Sequence, residues 1–274
     1  MKKNAAMEIT IIAILALPML AALFANSLQP VFSNPMVPVP GYLSTTSASG
    51  IISTVSYNWA GYAVTTSGTN KVTDVKGSWM VPTYSGATCN ANEWWDSSFW
   101  IGIDGEKSST VEQIGTETMC FEGVVSYDAW FEFFPRLSVT IPDAISPGDT
   151  VSAEVKWISG TIFTLSIKDT TAGWTFIKTG SLSGALRNSA EWIAESPYGL
   201  LGELPLAPFG TAYFTSDTAV TTNHSGAIGT FTAGVYLLNG VCYPSASPIK
   251  LSTSTLSNAG ANFNVAYLNP GPEG

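Results

Sequence analysis

The amino-acid sequence predicts an all-β protein, built as a β-sandwich or a barrel. After Ala25, apolar and polar residues alternate in short runs, which is typical of strands that bury one face. Gly, Asn, Pro and Ser interrupt these runs as turns do, and no stretch of ten or more residues keeps a helical period. The 274 residues can bury a large core, and we expect one domain rather than two. Predicted strands lie at residues 71–81, 99–103, 110–115, 124–134, 150–158, 162–168, 173–179, 189–195, 207–215, 231–238 and 261–268.

The start of the chain has the pattern of an export signal. Lys2 and Lys3 precede a mostly apolar run over residues 9–25, and small and polar residues follow. We therefore predict a signal peptide at residues 1–27 and a secreted, extracellular protein. The apolar run is near the lower length limit for spanning a bilayer, so an uncleaved anchor through residues 9–25 is the alternative. Without that anchor, the mature protein has no contact with a membrane.

The next segment differs in composition from the predicted domain. Residues 28–53 are rich in Pro, Ser and Thr and lack an apolar period, which indicates a linker or a short pro-segment. The β-domain itself is expected over residues 54–269, with a tail at 270–274.

The charge content limits the partners and suggests a working pH. Eleven Lys and Arg against 20 Asp and Glu give a net charge of −9, and no basic cluster is present to neutralise the phosphates of a nucleic acid. Charged residues make up only 11% of the chain, against about 25% in an ordinary globular domain. A fold with few ion pairs loses little when its carboxylates are protonated, so we expect function in an acidic medium. A neutral extracellular protein with a Ser/Thr-rich surface is the alternative.

Three cysteines fit an oxidising compartment with one disulfide and one cysteine left over. Cys89 and Cys120 flank the predicted hairpin at residues 99–115, so we expect them to be joined and Cys242 to remain free. No CxxC or HExxH motif is present and His224 is the single histidine of the sequence, so no metal site is expected.

The predicted hairpin at residues 99–115 carries the first candidate site. Alternation along its two strands can bring Trp100, Asp104 and Gln113 onto one surface. An aromatic wall, a carboxylate and a neutral amide together could bind a polar backbone. A hairpin that only exposes its polar residues to water is the alternative.

Two further strands carry acids among apolar residues. Asp128, Trp130 and Glu132 share one strand face, and Glu191 shares a face with Glu195. Carboxylates on such strands are costly to bury unless they are partnered or functional. The alternative is structural: the acids lie on the solvent face of a sheet, and the Trp residues fill the core of the sandwich.

Seven motifs occur in order along the chain: NWAGY at 58–62, GSWMVPT at 77–83, WIGIDG at 100–105, QIG at 113–115, YDAWFEFFP at 127–135, AEWIAE at 190–195 and LAPFGTAYFT at 206–215. In this ordered occurrence the sequence resembles the glutamic peptidases, the eqolisin family of acid-acting, pepstatin-insensitive secreted endopeptidases. The resemblance implies two large antiparallel sheets, curved as in legume lectins, with the active site on the concave face.

The resemblance also implies a catalytic pair of one Gln and one Glu. The family motifs place the Gln at Gln113 and the Glu at Glu191. Strand alternation alone cannot separate Glu191 from Glu195, so this choice depends on the motif. The chain departs from the familiar members in a turn one residue shorter before the Gln, and in Glu112 where an apolar residue is more usual.

The implied chemistry is hydrolysis of polypeptide substrates without a cofactor or a metal. Glu191 would act as general base on a water molecule and Gln113 would stabilise the oxyanion. Acid activity follows if the pKa of Glu191 stays near or below the reference of about 4.3. We expect a monomer. The residues expected to line the cleft and contact substrate are Trp59, Trp100, Asp104, Trp130 and Glu132.

Two other functions fit the same kind of sandwich. A glycoside hydrolase could use Glu132 and Glu191 as its two carboxylates, with Trp side chains as platforms for sugar rings. A carbohydrate-binding or cell-surface adhesion domain would suit the Ser/Thr-rich surface. A pepsin-type aspartic peptidase is disfavoured because the Asp-Thr pairs of the sequence lack the following Gly.

Overall fold

The structure is a computed structural model that describes residues 34–92, 94–199 and 202–271. The predicted signal peptide at residues 1–27 and most of the tail at 270–274 lie outside the described residues. Two short 3₁₀ helices occur, at Ile228–Thr230 and Asn258–Gly260. The strands are β1 (Thr45–Thr46), β2 (Ile52–Ser56), β3 (Trp59–Thr65), β4 (Val72–Met80), β5 (Trp94–Ile103), β6 (Val111–Phe121), β7 (Val124–Phe134), β8 (Val139–Thr140), β9 (Thr150–Ser159), β10 (Ile162–Asp169), β11 (Thr175–Ser181), β12 (Ser189–Glu195), β13 (Tyr198–Gly199), β14 (Gly202–Glu203), β15 (Thr211–Thr221), β16 (Ser225–Ala227), β17 (Val235–Val241), β18 (Ile249–Thr253) and β19 (Phe263–Tyr267).

These strands form two large sheets, so the all-β prediction is confirmed. The first sheet has the order β7-β6-β5-β12-β3-β17-β2 and the second has the order β11-β10-β9-β4-β15-β19-β18. The end of β17 pairs with β18 and joins the two sheets. Every pairing between these named strands is antiparallel except that of β2 with β17. The short strands β1, β8 and β16 add to β2, β7 and β15.

The main core lies between the two sheets. Phe99, Ile101 and Ile114 point inward from the first sheet and meet Val155 and Leu165 from the second, all within one buried apolar cluster. Two tryptophans also tie the sheets by hydrogen bonds across the core. The Nε1–H of Trp79 donates to Thr116 Oγ1 at 2.9 Å, and that of Trp192 donates to the Lys76 carbonyl at 2.7 Å.

The opposite side of the first sheet, called the site face below, carries a second apolar cluster. Its fully or almost fully buried members include Trp59, Trp100 and Trp130, and Ile193 lies among them. Trp59 and Trp100 meet edge to face with ring centroids 4.9 Å apart. The first sheet is therefore buried on both faces, which explains why its central strands have almost no exposed residue.

Part of the segment expected to be a linker belongs to the folded domain. Val37 donates its N–H to Asn58 Oδ1 at 2.8 Å, and Tyr57 donates its N–H to the Val37 carbonyl at 2.9 Å. Pro38 forms a bridge with Ser56, and β1 pairs with β2. The described contacts therefore begin at residue 34 rather than 54, and the role of a pro-segment stays a prediction.

The predicted disulfide is confirmed. Cys89 and Cys120 are joined across a sequence separation of 31 residues, and they tie the loop before β5 to the end of β6. Cys242 is free and buried.

Candidate active site

A single row of residues crosses the site face at the middle of the first sheet. Glu191 of β12 lies opposite Gly102 of β5, Gly102 lies opposite Gln113 of β6, and Gln113 lies opposite Glu132 of β7. Residues directly opposite each other in a sheet share a face, so the side chains of Glu191, Gln113 and Glu132 project to the same side. The row brings together three residues that are far apart in the sequence.

Gly102 sets the space between the two proposed catalytic side chains. Two strand spacings place the Cα atoms of Gln113 and Glu191 about 10 Å apart. Gly102 contributes no side chain to this interval, and a Cβ there would lie 3.0 Å from Trp100 Cζ3 and 3.3 Å from Gln113 Cβ. The sequence analysis did not identify this glycine as part of the site; its signal is that it shares a strand face with Trp100.

Gln113 is held by the acid on its other side. Its Nε2 donates to Glu132 Oε2 at 2.5 Å, and both side chains are fully buried. Burial raises the pKa of Glu132 well above its usual range, and the hydrogen bond from Gln113 lowers it in part. Glu132, predicted to line the cleft, therefore orients the amide of Gln113.

Glu191 is fully buried in the same row. Burial raises the pKa of Glu191 well above its usual range, and the charges of Asp104 and Glu106 raise it further. Ser189 and the backbone of Glu106 act in the opposite direction. The sequence analysis made acid activity conditional on a pKa of Glu191 near or below the reference value, and burial of the carboxyl acts against that condition.

Glu195, the acid that alternation could not distinguish from Glu191, has different surroundings. It lies four residues along β12, about 13 Å from Glu191 at the rise of a strand. Its Oε2 accepts from Trp100 Nε1 at 2.8 Å, and its Oε1 accepts from the Asn34 N–H at 3.1 Å and from Asn58 Nδ2 at 3.3 Å. Register therefore places Glu191, and not Glu195, in the row with Gln113.

The predicted tryptophans all lie on the site face, beyond the row of Glu191 and Gln113. Trp100 and Trp130 share the next row, and Gly115 lies between them on β6. A Cβ on Gly115 would lie 2.6 Å from Trp100 Cβ and 2.4 Å from the Phe99 carbonyl, so this position requires glycine. Trp59 donates its Nε1–H to the Asn34 carbonyl at 3.1 Å. The structure therefore places these side chains beside the proposed pair, on one wall.

Asp104 does not join the row. Its φ of 71° turns it out of β5. Its carboxylate then accepts the N–H groups of Leu186 at 2.7 Å and of Arg187 and Asn188 at 2.8 Å. These bonds hold the turn that leads into β12. The described contacts of Asp104 thus position the strand that carries Glu191.

A group of acids that the sequence analysis did not combine lies at the other end of the site face. Glu117 stands directly opposite Asp128, and Asp96 is buried nearby. Burial, followed by the charge of Asp128, raises the pKa of Glu117 to about 8. Burial and then Glu117 raise the pKa of Asp96 well above its usual range. The available signal was alternation along β6, which puts Gln113, Gly115 and Glu117 on one face.

Residues 34–37 lie against this face of the sheet. Besides the contacts of Asn34 with Glu195 and Trp59, the Met36 N–H donates to the Gly105 carbonyl at 3.1 Å. The Met36 side chain packs on the tryptophan cluster. The N-terminal part of the described chain thus covers part of the site face beside Trp59 and Glu195.

The described residues were also compared with the requirements of a metal site and of a membrane-spanning helix. No group of three or more His, Cys, Asp or Glu among them is arranged to hold a metal ion. Within the same residues, no helix has the length and apolar character needed to cross a membrane.

Comparison with known proteins identifies a family and relatives of this chain. Residues 57–260 match the Peptidase A4 family. Aspergillopepsin-2 of Aspergillus niger is 30% identical over 184 residues, covering 60% of this chain and 64% of that protein. Scytalidopepsin B of Scytalidium lignicola is 32% identical over 147 residues, which are 52% of each chain. The matched part thus spans 64% and 52% of the length of these two relatives.

Solved structures show the same fold. A crystal structure of scytalido-glutamic peptidase with a peptide-based transition-state analogue has a TM-score of 0.62 at 23% identity, covering 78% of this chain and 100% of that one. Aspergilloglutamic peptidase from Aspergillus niger has a TM-score of 0.54 at 25% identity, covering 64% and 99%. Because the family match spans well over half of the chain, this protein belongs to the Peptidase A4 family, the glutamic peptidases or eqolisins.

Proposed function

We propose that this protein is a secreted endopeptidase that hydrolyses polypeptides in acid, with Glu191 and Gln113 as its catalytic pair. The observation that supports this most directly is the row in register across three strands, in which the residue between Glu191 and Gln113 is Gly102. In the proposal, a water molecule and a peptide carbonyl lie between this acid and this amide during the reaction. The family relationship favours the same reaction.

In this mechanism Glu191 is the general base. Its carboxylate takes a proton from the water, whose oxygen attacks the carbonyl carbon of the peptide. The protonated Glu191 then delivers that proton to the amide nitrogen as the carbon–nitrogen bond breaks. No covalent intermediate with the protein forms, so no Ser, Cys or His nucleophile is needed.

Gln113 stabilises the charge that develops on the carbonyl oxygen. Its side-chain nitrogen carries two hydrogens, of which one is directed to Glu132 at 2.5 Å. We assign the other hydrogen to the oxyanion. One such donor contributes about 3 kcal/mol in other hydrolases, because it is already oriented before charge develops. Glu132 supplies that orientation here.

The pH dependence follows from the state of Glu191. A general base must be ionised, whereas burial in the closed site raises the pKa of Glu191. In this proposal the attacking water and the substrate solvate the Glu191 carboxylate in the enzyme–substrate complex and return its pKa toward the usual range. We therefore expect kcat to rise with pH through the pKa of Glu191 in that complex, and the residual activity of Glu191→Gln should lack this acidic limb.

The test is digestion of an acid-denatured protein at pH 3 to 5 in the presence of pepstatin. Wild type should cleave it, whereas Gln113→Ala and Glu191→Gln should each lose at least about 100-fold in kcat/KM. Glu122→Gln, at an exposed residue in the turn after β6, is the matched control and should keep full activity.

Two outcomes would contradict the proposal. One is that wild type cleaves no protein in acid, and the other is that the Gln113 and Glu191 variants cleave as fast as the control. Hydrolysis of a polysaccharide that survives Gln113→Ala would instead favour the glycosidase alternative. Analysis of the amino terminus of the exported protein tests secretion, with cleavage after the predicted signal peptide as the expected result.

A further inference from the structure

A cavity of about 680 Å³ opens beside the proposed catalytic acid, at the end of the site face away from the tryptophans. Its volume lies within the range of about 300–1,000 Å³ that is usual for ligand sites. Its lining includes Thr65, Glu106, Lys107, Asn188, His224 and Thr232. None of the residues assigned above to catalysis belongs to this lining.

The register of β12 with β3 places the cavity next to the row of Glu191. Thr65 pairs with Ser189, and Ala63 pairs with Glu191, so the cavity begins one step of two residues along the same face. That step is about 7 Å, which an extended peptide covers with two residues. Glu106 joins the two regions, because it lines the cavity while its backbone lies beside the Glu191 carboxyl.

Lys107 is fixed at the entrance of this cavity. Its Nζ lies 3.1 Å from the Tyr236 hydroxyl and 4.8 Å from the centre of the Tyr236 ring. It also lies 3.7 Å from Glu106 Oε2, in an ion pair whose lysine side chain is 58% exposed. The ammonium group of Lys107 is accessible to a substrate and is already positioned by the Tyr236 ring, so it can contact a substrate side chain without a change of conformation.

In acid the cavity is positively charged. Burial raises the pKa of Glu106, although Lys107 partly opposes this, so the Glu106 carboxyl takes up a proton early as the pH falls. Burial opposes the charge on Lys107, but its contacts with Tyr236 and Glu106 raise its pKa overall, so Lys107 is a cation under these conditions. The His224 Nε2 lies 2.9 Å from Thr230 Oγ1, and the other polar side chains of the lining carry neutral hydroxyls and amides.

We propose that this cavity is an extended substrate subsite that favours acidic or neutral polar side chains and disfavours Lys and Arg, with Lys107 as its specificity-determining residue. The proposal rests on the peptidase function proposed above. The occupied position is at least two residues from the cleaved bond, on one side of it. Hydroxyl and amide groups of the lining would hold the substrate backbone, and the cation would select the side chain.

The experiment is a cleavage profile on a peptide library in acid, read by mass spectrometry. For wild type we expect enrichment of Asp and Glu and depletion of Lys and Arg at one fixed position on one side of the bond. Lys107→Glu should reverse that preference by about fivefold, the effect of one partly exposed charge pair. Lys107→Arg should keep it, and Lys168→Glu, at an exposed lysine on the second sheet, is the matched control.

A second measurement separates binding from catalysis. In the Glu191→Gln background, a peptide with Asp at the selected position should bind about fivefold more tightly than the same peptide with Lys, and Lys107→Glu should invert this order. An unchanged cleavage profile in an active Lys107→Glu enzyme would overturn the subsite alone. Absence of cleavage by wild type would overturn the peptidase function and the subsite with it.

Discussion

The two faces of the first sheet are made by the same strands and have opposite chemistry. On the core face, Ile101, Ile114 and Trp192 are apolar and pack against the second sheet. On the site face, the residues next to them in sequence are Gly102, Gln113 and Glu191. Both faces are buried, so burial does not distinguish them. What distinguishes them is that the site face buries acids and an amide. The free-energy cost of burying such groups is offset only by a bonding partner or by selection for a function.

One acid breaks this division. Glu112 lies on the core face of β6, opposite Ile103 and Phe133, and it is fully buried. Among the described residues neither of its carboxyl oxygens has a hydrogen-bond partner. Burial, followed by the charge of Asp104, raises the pKa of Glu112 to about 9, while Arg187 opposes this. Burial therefore favours the protonated form of this carboxyl.

This arrangement adds a second reason to expect function in acid. The sequence-based argument was that a fold with few ion pairs loses little when the pH falls. The structure supplies buried carboxyls, including Asp217, Asp96 and Glu117, whose pKa values burial also raises. Groups with raised pKa values bind protons on folding, so we expect acid to stabilise the fold.

The largest expected effect comes from making one substitution on each face. Glu191→Leu should lose at least about 100-fold in kcat/KM, because it removes the general base. Glu112→Leu should keep activity within a few-fold, because it places an apolar side chain among apolar neighbours at the next residue from Gln113. Cleavage of denatured protein in acid by the two purified variants measures this difference. Comparable losses in both variants would contradict the division into two faces.

The second prediction concerns stability at higher pH. Glu112 has an ordinary pKa of 4.5 and a folded pKa of about 9, so its contribution is complete below pH 4.5 and is lost as the pH rises toward 9. The loss is at most about 1.4 kcal/mol for each pH unit in this window. Glu112→Leu should therefore flatten the fall in unfolding free energy between pH 5 and 8. Urea unfolding at several pH values tests this.

The matched control for that measurement is Glu122→Gln, at an exposed acid on the neighbouring turn. It should follow the wild-type curve. A Glu112→Leu protein whose stability falls with pH as steeply as wild type would show that Glu112 is not the group responsible.

Asp104 provides a third and smaller test, because its two possible roles predict different results. If its carboxylate holds the turn at residues 186–188, then Asp104→Ala loses the acceptor of three backbone N–H groups. That loss should cost about 2–3 kcal/mol of unfolding free energy. If Asp104 instead contacts substrate, KM should rise while the melting temperature stays unchanged. We expect the first result, with a fall in kcat because β12 shifts.

The alternation of residues was sufficient to predict the strands and the residues that share each face. It could not choose between Glu191 and Glu195, because that choice depends on the register of β12 against β5, which is set by contacts distant in sequence. Alternation predicted Asp104 on a common surface with Trp100 and Gln113, whereas its positive φ and its hydrogen bonds to the turn at residues 186–188 leave no pattern in the sequence. Alternation does place Glu112 and Gln113 on opposite faces of β6. Nothing in the sequence shows that the Glu112 carboxyl has no hydrogen-bond partner among the described residues.

The smallest expected effect compares two tryptophan hydrogen bonds, one on each face. Trp79 donates across the core to Thr116, whereas Trp100 donates to Glu195 on the site face. Trp79→Phe should cost about 1 kcal/mol or more in unfolding free energy at every pH, because a neutral bond and some packing are lost. Trp100→Phe removes a donor to the Glu195 carboxylate, so its cost should exceed that of Trp79→Phe by about 1 kcal/mol, because hydrogen bonds to charged groups are the stronger ones. Equal losses of unfolding free energy in the two variants, measured by urea unfolding at pH 6, would show that the acids of the site face strengthen no hydrogen bond beyond those of the core, and the comparison of the two faces would lose its electrostatic basis.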